Sequence, residues 1–154
     1  MATVYSAQKT KWDQNIPQDM VSTSEMAGRI RVAQATYEAS SLASGDVIEM
    51  FNIPNKARLL EGSLAHDALG SSTTLSVGYA AYTNSSGTAV SAAAAAYKAA
   101  AASTSAQKVD ILATLALGSG TAVDADKTGL PVTVTMGGAA GTGTIEVTIK
   151  YVVD

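Results

Sequence analysis

The sequence holds one histidine, His66, and Asp67 follows it directly. A carboxylate beside an imidazole is the pairing that orients a general base, but such a base needs a positioned nucleophile. No Gly-x-Ser-x-Gly elbow exists in the chain. One imidazole also cannot supply the several ligands that metal chemistry on a β-sandwich requires. The residues therefore favour a plain polar turn at His66-Asp67.

A second candidate is Asp124-Ala125-Asp126-Lys127-Thr128-Gly129, which has the acids at positions one and three and the glycine at six of a calcium loop. Position twelve is Thr135, where a bidentate Glu is needed, and the residues that follow read as a strand rather than a helix. A polar turn again accounts for the pattern better. Glycoside hydrolysis could draw on any two of 13 acids, so spacing excludes nothing; the single Trp, single Phe and six Tyr make a poor sugar-binding platform. The glycines of 137–143 lead into a strand and not into a helix N-terminus, which removes a phosphate-cradling role. Cysteine is absent, and with it thiolate metal sites, cysteine nucleophiles and disulfides. We expect no enzyme activity, no catalytic residues, no metal and no cofactor.

These residues sit in a chain of 154, enough for one domain with its own core. Charged residues make up 15%, well under the usual ~25%, while 47% are apolar. So few charges point to a surface partly covered by another protein. The net charge of −3 and the scattered Lys and Arg residues argue against nucleic acid as a partner. The first 15 residues contain no apolar signal core, and no run approaches the ~18 apolar residues of a membrane span. A soluble protein made in a cytoplasm, with no membrane partner, is expected.

The elements follow from periodicity. Residues 1–27 carry Tyr5, Trp12, Ile16, Pro17 and Met20 with no sustained period, and are expected to form an extended N-terminal arm. Two readings stay open for it: Trp12 folds back on its own domain, or the arm anchors the protein to a neighbour. From residue 28 to 154 the texture is that of an antiparallel β-sandwich, with strands expected at 29–37, 47–53, 58–66, 73–79, 132–136 and 144–153. Alternation is cleanest at the end, where Ile145, Val147, Ile149, Tyr151 and Val153 share one face and Thr144, Glu146, Thr148 and Lys150 the other. In the first strand Ile30 and Val32 lie on one face and Ala33, Ala35 and Tyr37 on the other, so a bulge or register ambiguity is open there.

Three segments are less regular. Val47 to Ile53 is apolar on both faces apart from Glu49 and Asn52, as if covered on both sides. Residues 91–102, SAAAAAYKAAAA, have the strongest helix propensity in the chain and are expected to form one short Ala-rich helix. Residues 106–117 fit helix or strand, and a sandwich favours the strand.

The stretch GDVIEMFNIPNKARLLEGSLAHDALGSSTTLSVGY, from Gly45 to Tyr79, resembles the capsid decoration, or cement, proteins of tailed bacteriophages. A strand ending in a Pro turn, a strand running into Leu-Gly and a TTLSVGY-like strand carry the resemblance, together with the closing GTGTIEVTIKYVVD from Gly141 to Asp154. Together these cover about a third of the chain. The resemblance implies a mainly β, jelly-roll-like body, commonly a homotrimer, that binds the major capsid protein on the outer surface of the virion and stabilises the lattice. Tyr5, Trp12, Ile16 and Met20 are then candidate capsid anchors, since buried aromatics carry a large share of interface energy. Val47, Met50, Phe51 and Tyr97 are candidate oligomer contacts. The rival reading is a receptor- or glycan-binding module of a tail or head fibre.

Overall fold

The computed structural model describes residues 6–14 and 28–153. The sandwich strands are β1 (Ile30–Leu42), β2 (Val47–Ile53), β3 (Arg58–His66), β4 (Thr73–Tyr79), β7 (Ala93–Ala102), β8 (Gln107–Ile111), β9 (Leu130–Gly138) and β10 (Gly141–Val152). Between β4 and β7 lies a small ribbon, β5 (Tyr82–Thr83) with β6 (Ala89–Val90). All pairings are antiparallel.

Strand order is β1-β10-β3-β8 in the first sheet and β2-β9-β4-β7 in the second. With the ribbon set aside, the chain crosses between sheets at every step except β4 to β7, and the last strand returns beside the first. This interleaving is the double Greek key of a jelly roll. The expected fold class therefore holds.

Alternation in the strands becomes the core. Leu75 and Val77 of β4, Val132, Val134 and Met136 of β9, and Ile145, Val147 and Ile149 of β10 are all buried. In β1 the small Ala33, Ala35 and Ala39 face inward, opposite Ile149, Val147 and Gly143, and the larger Ile30 and Val32 face out. The strand is straight through that region; its irregularity comes later, between Ala39 and Leu42.

Two expectations are corrected. The Ala-rich segment is strand β7, not a helix. An isolated helix of that length is marginal in water, whereas β4 has buried residues along most of its length and needs a second partner beside β9 for its backbone. Tyr97, the one large apolar side chain of the segment, packs into the core with its ring 5.9 Å from that of Tyr79. Ser103 then closes the strand: its N–H donates to the Thr73 carbonyl at 3.0 Å and its hydroxyl to Thr73 Oγ1 at 2.9 Å. Within the expected extended arm, Ala7–Gln14 form a helix, α1. Ser6 caps it, accepting the Lys9 N–H on Oγ at 3.2 Å.

The doubly apolar β2 is also resolved. Ile48, Phe51 and Ile53 oppose Val134, Val132 and Leu130, with a register shift between Glu49 and Phe51. A bulge at Met50 puts three apolar residues on the inner face without strict alternation, and no second covering layer is needed.

β7 runs close against β4 only because position 78 is glycine: a Cβ there would lie 1.9 Å from the Ala93 carbonyl oxygen. Gly78→Ala is expected to lower unfolding free energy by about 3 kcal/mol or more. Gly45→Ala, at a positive φ with open space around it, is expected to cost about 1–2 kcal/mol of backbone strain alone. Urea unfolding of the two variants checks the order.

Candidate interaction surfaces

The residues that invited a catalytic reading hold turns together. His66 is buried at the end of β3, and its Nδ1 lies 2.8 Å from the Asp67 carbonyl oxygen, so Nδ1 carries the proton and donates. The Asp67 carboxylate turns the other way, accepting the Thr144 N–H at 3.0 Å. That backbone bond holds Asp67 below the usual carboxylate range, while the Thr144 hydroxyl donates to Glu38 Oε2 at 2.8 Å. Asp124 accepts the Ser85 N–H at 3.2 Å and its hydroxyl, while Asp126 accepts the Thr128 hydroxyl and, at 2.7 Å, its N–H. The same two bonds, led by the hydroxyl, lower Asp126. The acids at positions one and three of the would-be calcium loop thus bind separate partners in separate turns.

The two outward sheet faces differ in charge. On the first sheet Glu38, Glu61, Lys108, Asp110, Glu146 and Lys150 point outward, and Lys150 reaches Glu61 at 2.6 Å. The second sheet carries only Glu49 on β2 and Lys98 on β7 among its strand residues. Its outward positions are small, Thr74, Ser76 and Gly78 on β4 and Thr133, Thr135 and Gly137 on β9, and of these Ser76, Gly78 and Thr133 are already buried within the chain. Such a face can be covered by protein without stripping water from ions.

The ends differ as well. From the strand registers, turns 43–46, 67–72, 103–106 and 139–140 lie at one end. The other end carries the turn 54–57, the ribbon-bearing segment 80–92, the long loop 112–129 and the entry into β1 at Gly28. That loop includes a 3-10 turn, Leu115–Leu117, capped by Thr114 and ended by Gly118 in the left-handed conformation. Leu115 at its head is 85% exposed. Ile30 and Val32, at the start of β1, are 64% and 56% exposed. A shallow groove of about 520 Å³ lies on the first sheet over Gly62, beside Glu61, Lys108, Asp110 and Lys150, and is bounded by Leu112, Ala113 and Ser119 of the loop.

The residues expected at interfaces are dispersed. Val47 is exposed, at the end opposite Leu115. Met50 and Phe51 are half-buried against the core, and Tyr97, only 5% exposed, is part of it, so Tyr97 offers no surface to a partner. Burial pushes the Tyr97 hydroxyl pKa up, with the neighbouring tyrosines adding to it. Trp12 lies in α1, while Tyr5, Ile16 and Met20 lie outside the described residues. Sequence reasoning missed Ile30, Val32 and Leu115 as surface residues. The Ile30/Val32 face was visible as a period of two, but nothing local marked it as the outward one.

No family model and no curated protein matches the chain. Solved structures do. A chain in the structure titled "Capsid of Ralstonia phage GP4" superposes with a TM-score of 0.62 at 22% identity, over 82% of this chain and 86% of that one. A chain in "Cyanophage Pam1 capsid asymmetric unit" superposes with a TM-score of 0.60 at 18% identity, again over 82% and 86%. At these identities the likeness establishes the shared fold.

The depressed carboxylates set an acid dependence. A lowered folded pKa stabilises above the unfolded value near ~3.9 and is lost as pH falls through the folded value. Thermal unfolding midpoints are expected to fall between pH 5 and pH 2. The Asp67→Asn/Asp126→Asn variant should fall less over the same range; equal falls would assign the acid loss to other groups.

Proposed function

We propose that this chain is a structural protein of a bacteriophage virion that binds the outside of an icosahedral head and stabilises the capsid lattice. The observation that carries the reading is the jelly-roll strand order, matched over most of both chains by proteins in two phage capsid structures. The low charge, the nearly uncharged outer face of the second sheet and the hydrogen-bonded turns at His66, Asp124 and Asp126 agree with it. A protein that binds the mature lattice more tightly than its precursor stabilises that lattice by linkage. Many copies make weak individual contacts collectively strong.

In this reading residues 1–27 reach onto the major capsid protein, with Tyr5, Trp12, Ile16 and Met20 as anchors. The body associates with copies of itself, as a trimer, through Val47 and the half-buried Met50 and Phe51 of β2. The charged face of the first sheet is left to solvent or to the groove's own partner. The fibre-borne glycan-binding reading has less support, because the groove has no aromatic wall.

Purified heads lacking the protein test the proposal. The full chain is expected to co-sediment with them at copy numbers comparable to the capsid protein, and a chain without residues 1–27 to bind at least tenfold more weakly. Undiminished binding by the shortened chain would remove the anchoring role. Light scattering on the free protein is expected to give three times the chain mass; a monomer mass would leave assembly to the lattice.

A further inference from the structure

We infer that the loop-bearing end of the first sheet, at Ile30, Val32 and Leu115, is a second capsid contact that seats the body beside the point where the N-terminal segment leaves it. This rests on the head-binding reading above and adds to it a defined footprint on the folded body.

Single exposed apolar side chains are ordinary on a protein surface. Their distribution here is not scattered. Of the exposed large apolar residues among those described, Ile30, Val32 and Leu115 lie at one end. Tyr37 lies further along β1, with its ring on the inward-facing side of the strand, and Val47 is at the opposite end. The same end holds both long connections, 80–92 and 112–129, while the opposite end is closed by short turns. Val32 pairs with Lys150 and Lys150 with Glu61, and β8 follows β3. β8 is the far strand of that sheet, three strand spacings or roughly 14 Å from β1, and Leu115 follows its last residue, Ile111, in the loop at the same end. The open groove lies on the same sheet, lined by β3, β8 and β10 and by Leu112, Ala113 and Ser119 of the loop that carries Leu115, and its ion pair, Lys150 with Glu61, is already made. A convex element of a partner can sit there and reach the exposed apolar side chains of this end without leaving that pair uncompensated.

The occupant follows from where the chain enters. Gly28 is two residues from Ile30, about 7 Å of extended chain. Any surface that holds residues just before 28 must lie against this end of the body. If residues 1–27 bind the capsid subunit, that subunit is the protein within reach of Ile30 and Val32.

The test uses the full chain and heads lacking the protein. Leu115→Ser and the pair Ile30→Thr/Val32→Thr, which keeps β-branched residues in the strand, are each expected to weaken co-sedimentation on the order of tenfold, equal to about 1.4 kcal/mol. Val47→Thr, at the other end, is expected to bind as the unaltered chain does. Hydrogen exchange of the unaltered protein on heads gives a readout independent of any variant: protection is expected at 28–32 and 112–120 and not at 43–46 or 103–106. Full binding by both variants, with loss only on removal of residues 1–27, would overturn the inference and leave the head-binding reading intact. A drop in oligomer mass of free Leu115→Ser would overturn it in favour of a contact between copies. Failure of the unaltered chain to bind heads would overturn both.

Discussion

Each sheet of this sandwich has two inner strands whose backbones are flanked on both sides, and the need to pair those backbones organises the rest. In the second sheet β9 and β4 are inner, in the first β10 and β3. Their side chains supply most of the core, and their N–H and C=O groups are inaccessible to water once the sheets face each other. The outer strands β1, β8, β2 and β7 are held less by their own apolar side chains than by this demand. The alanines of β7 are the extreme case. They bury little, yet they satisfy one side of β4, and their small volume lets β7 run close over Gly78 and depart from regular register twice.

The same division of labour shapes the surface. Outer strands are free to carry residues the core does not need, and they do so unevenly. Charges gather on the outward face of the first sheet and are nearly absent from the second. Polar groups that remain are used locally: Asp67, Asp124, Asp126, Ser103 and Thr73 each fasten a loop or strand end. The polar side chains that invited a chemical reading are thus engaged in turns, and the functional reading rests on the surfaces.

The jelly roll also separates two ends with different character. Short turns close one; the chain entry, the ribbon and the long loop occupy the other. Long loops are where recognition concentrates on a rigid sandwich, and here the sandwich positions Leu115 at the head of a capped turn. Gly118 makes that turn possible, with a positive φ and a would-be Cβ only 3.2 Å from the Tyr97 ring. Core packing at Tyr97 and surface display at Leu115 are thus coupled through one glycine.

Short apolar runs between turn residues determined that the chain is mainly β and where six of the strands run, and alternation determined which residues of β4, β9 and β10 are core, because a period of two assigns faces without knowledge of neighbours. Residue types likewise pointed to polar turns at His66, Asp124 and Asp126, where the side chains do hydrogen-bond to turn residues. Tertiary structure alone decided the rest. Propensity favoured a helix at 91–102, and only the unpaired edge of β4 overrode it. Val47 to Ile53 read as two-sided until pairing with β9 revealed the bulge at Met50. Ile30 and Val32 shared a face in the sequence, but whether that face met the core or solvent depended on what lay across the sandwich from Ala33 and Ala35. Strand order, the charge difference between sheets and the gathering of Ile30, Val32 and Leu115 at one end are relations between residues far apart in the chain. No local window holds them, since each arises from hydrogen bonds and contacts that exist only after the chain has closed on itself.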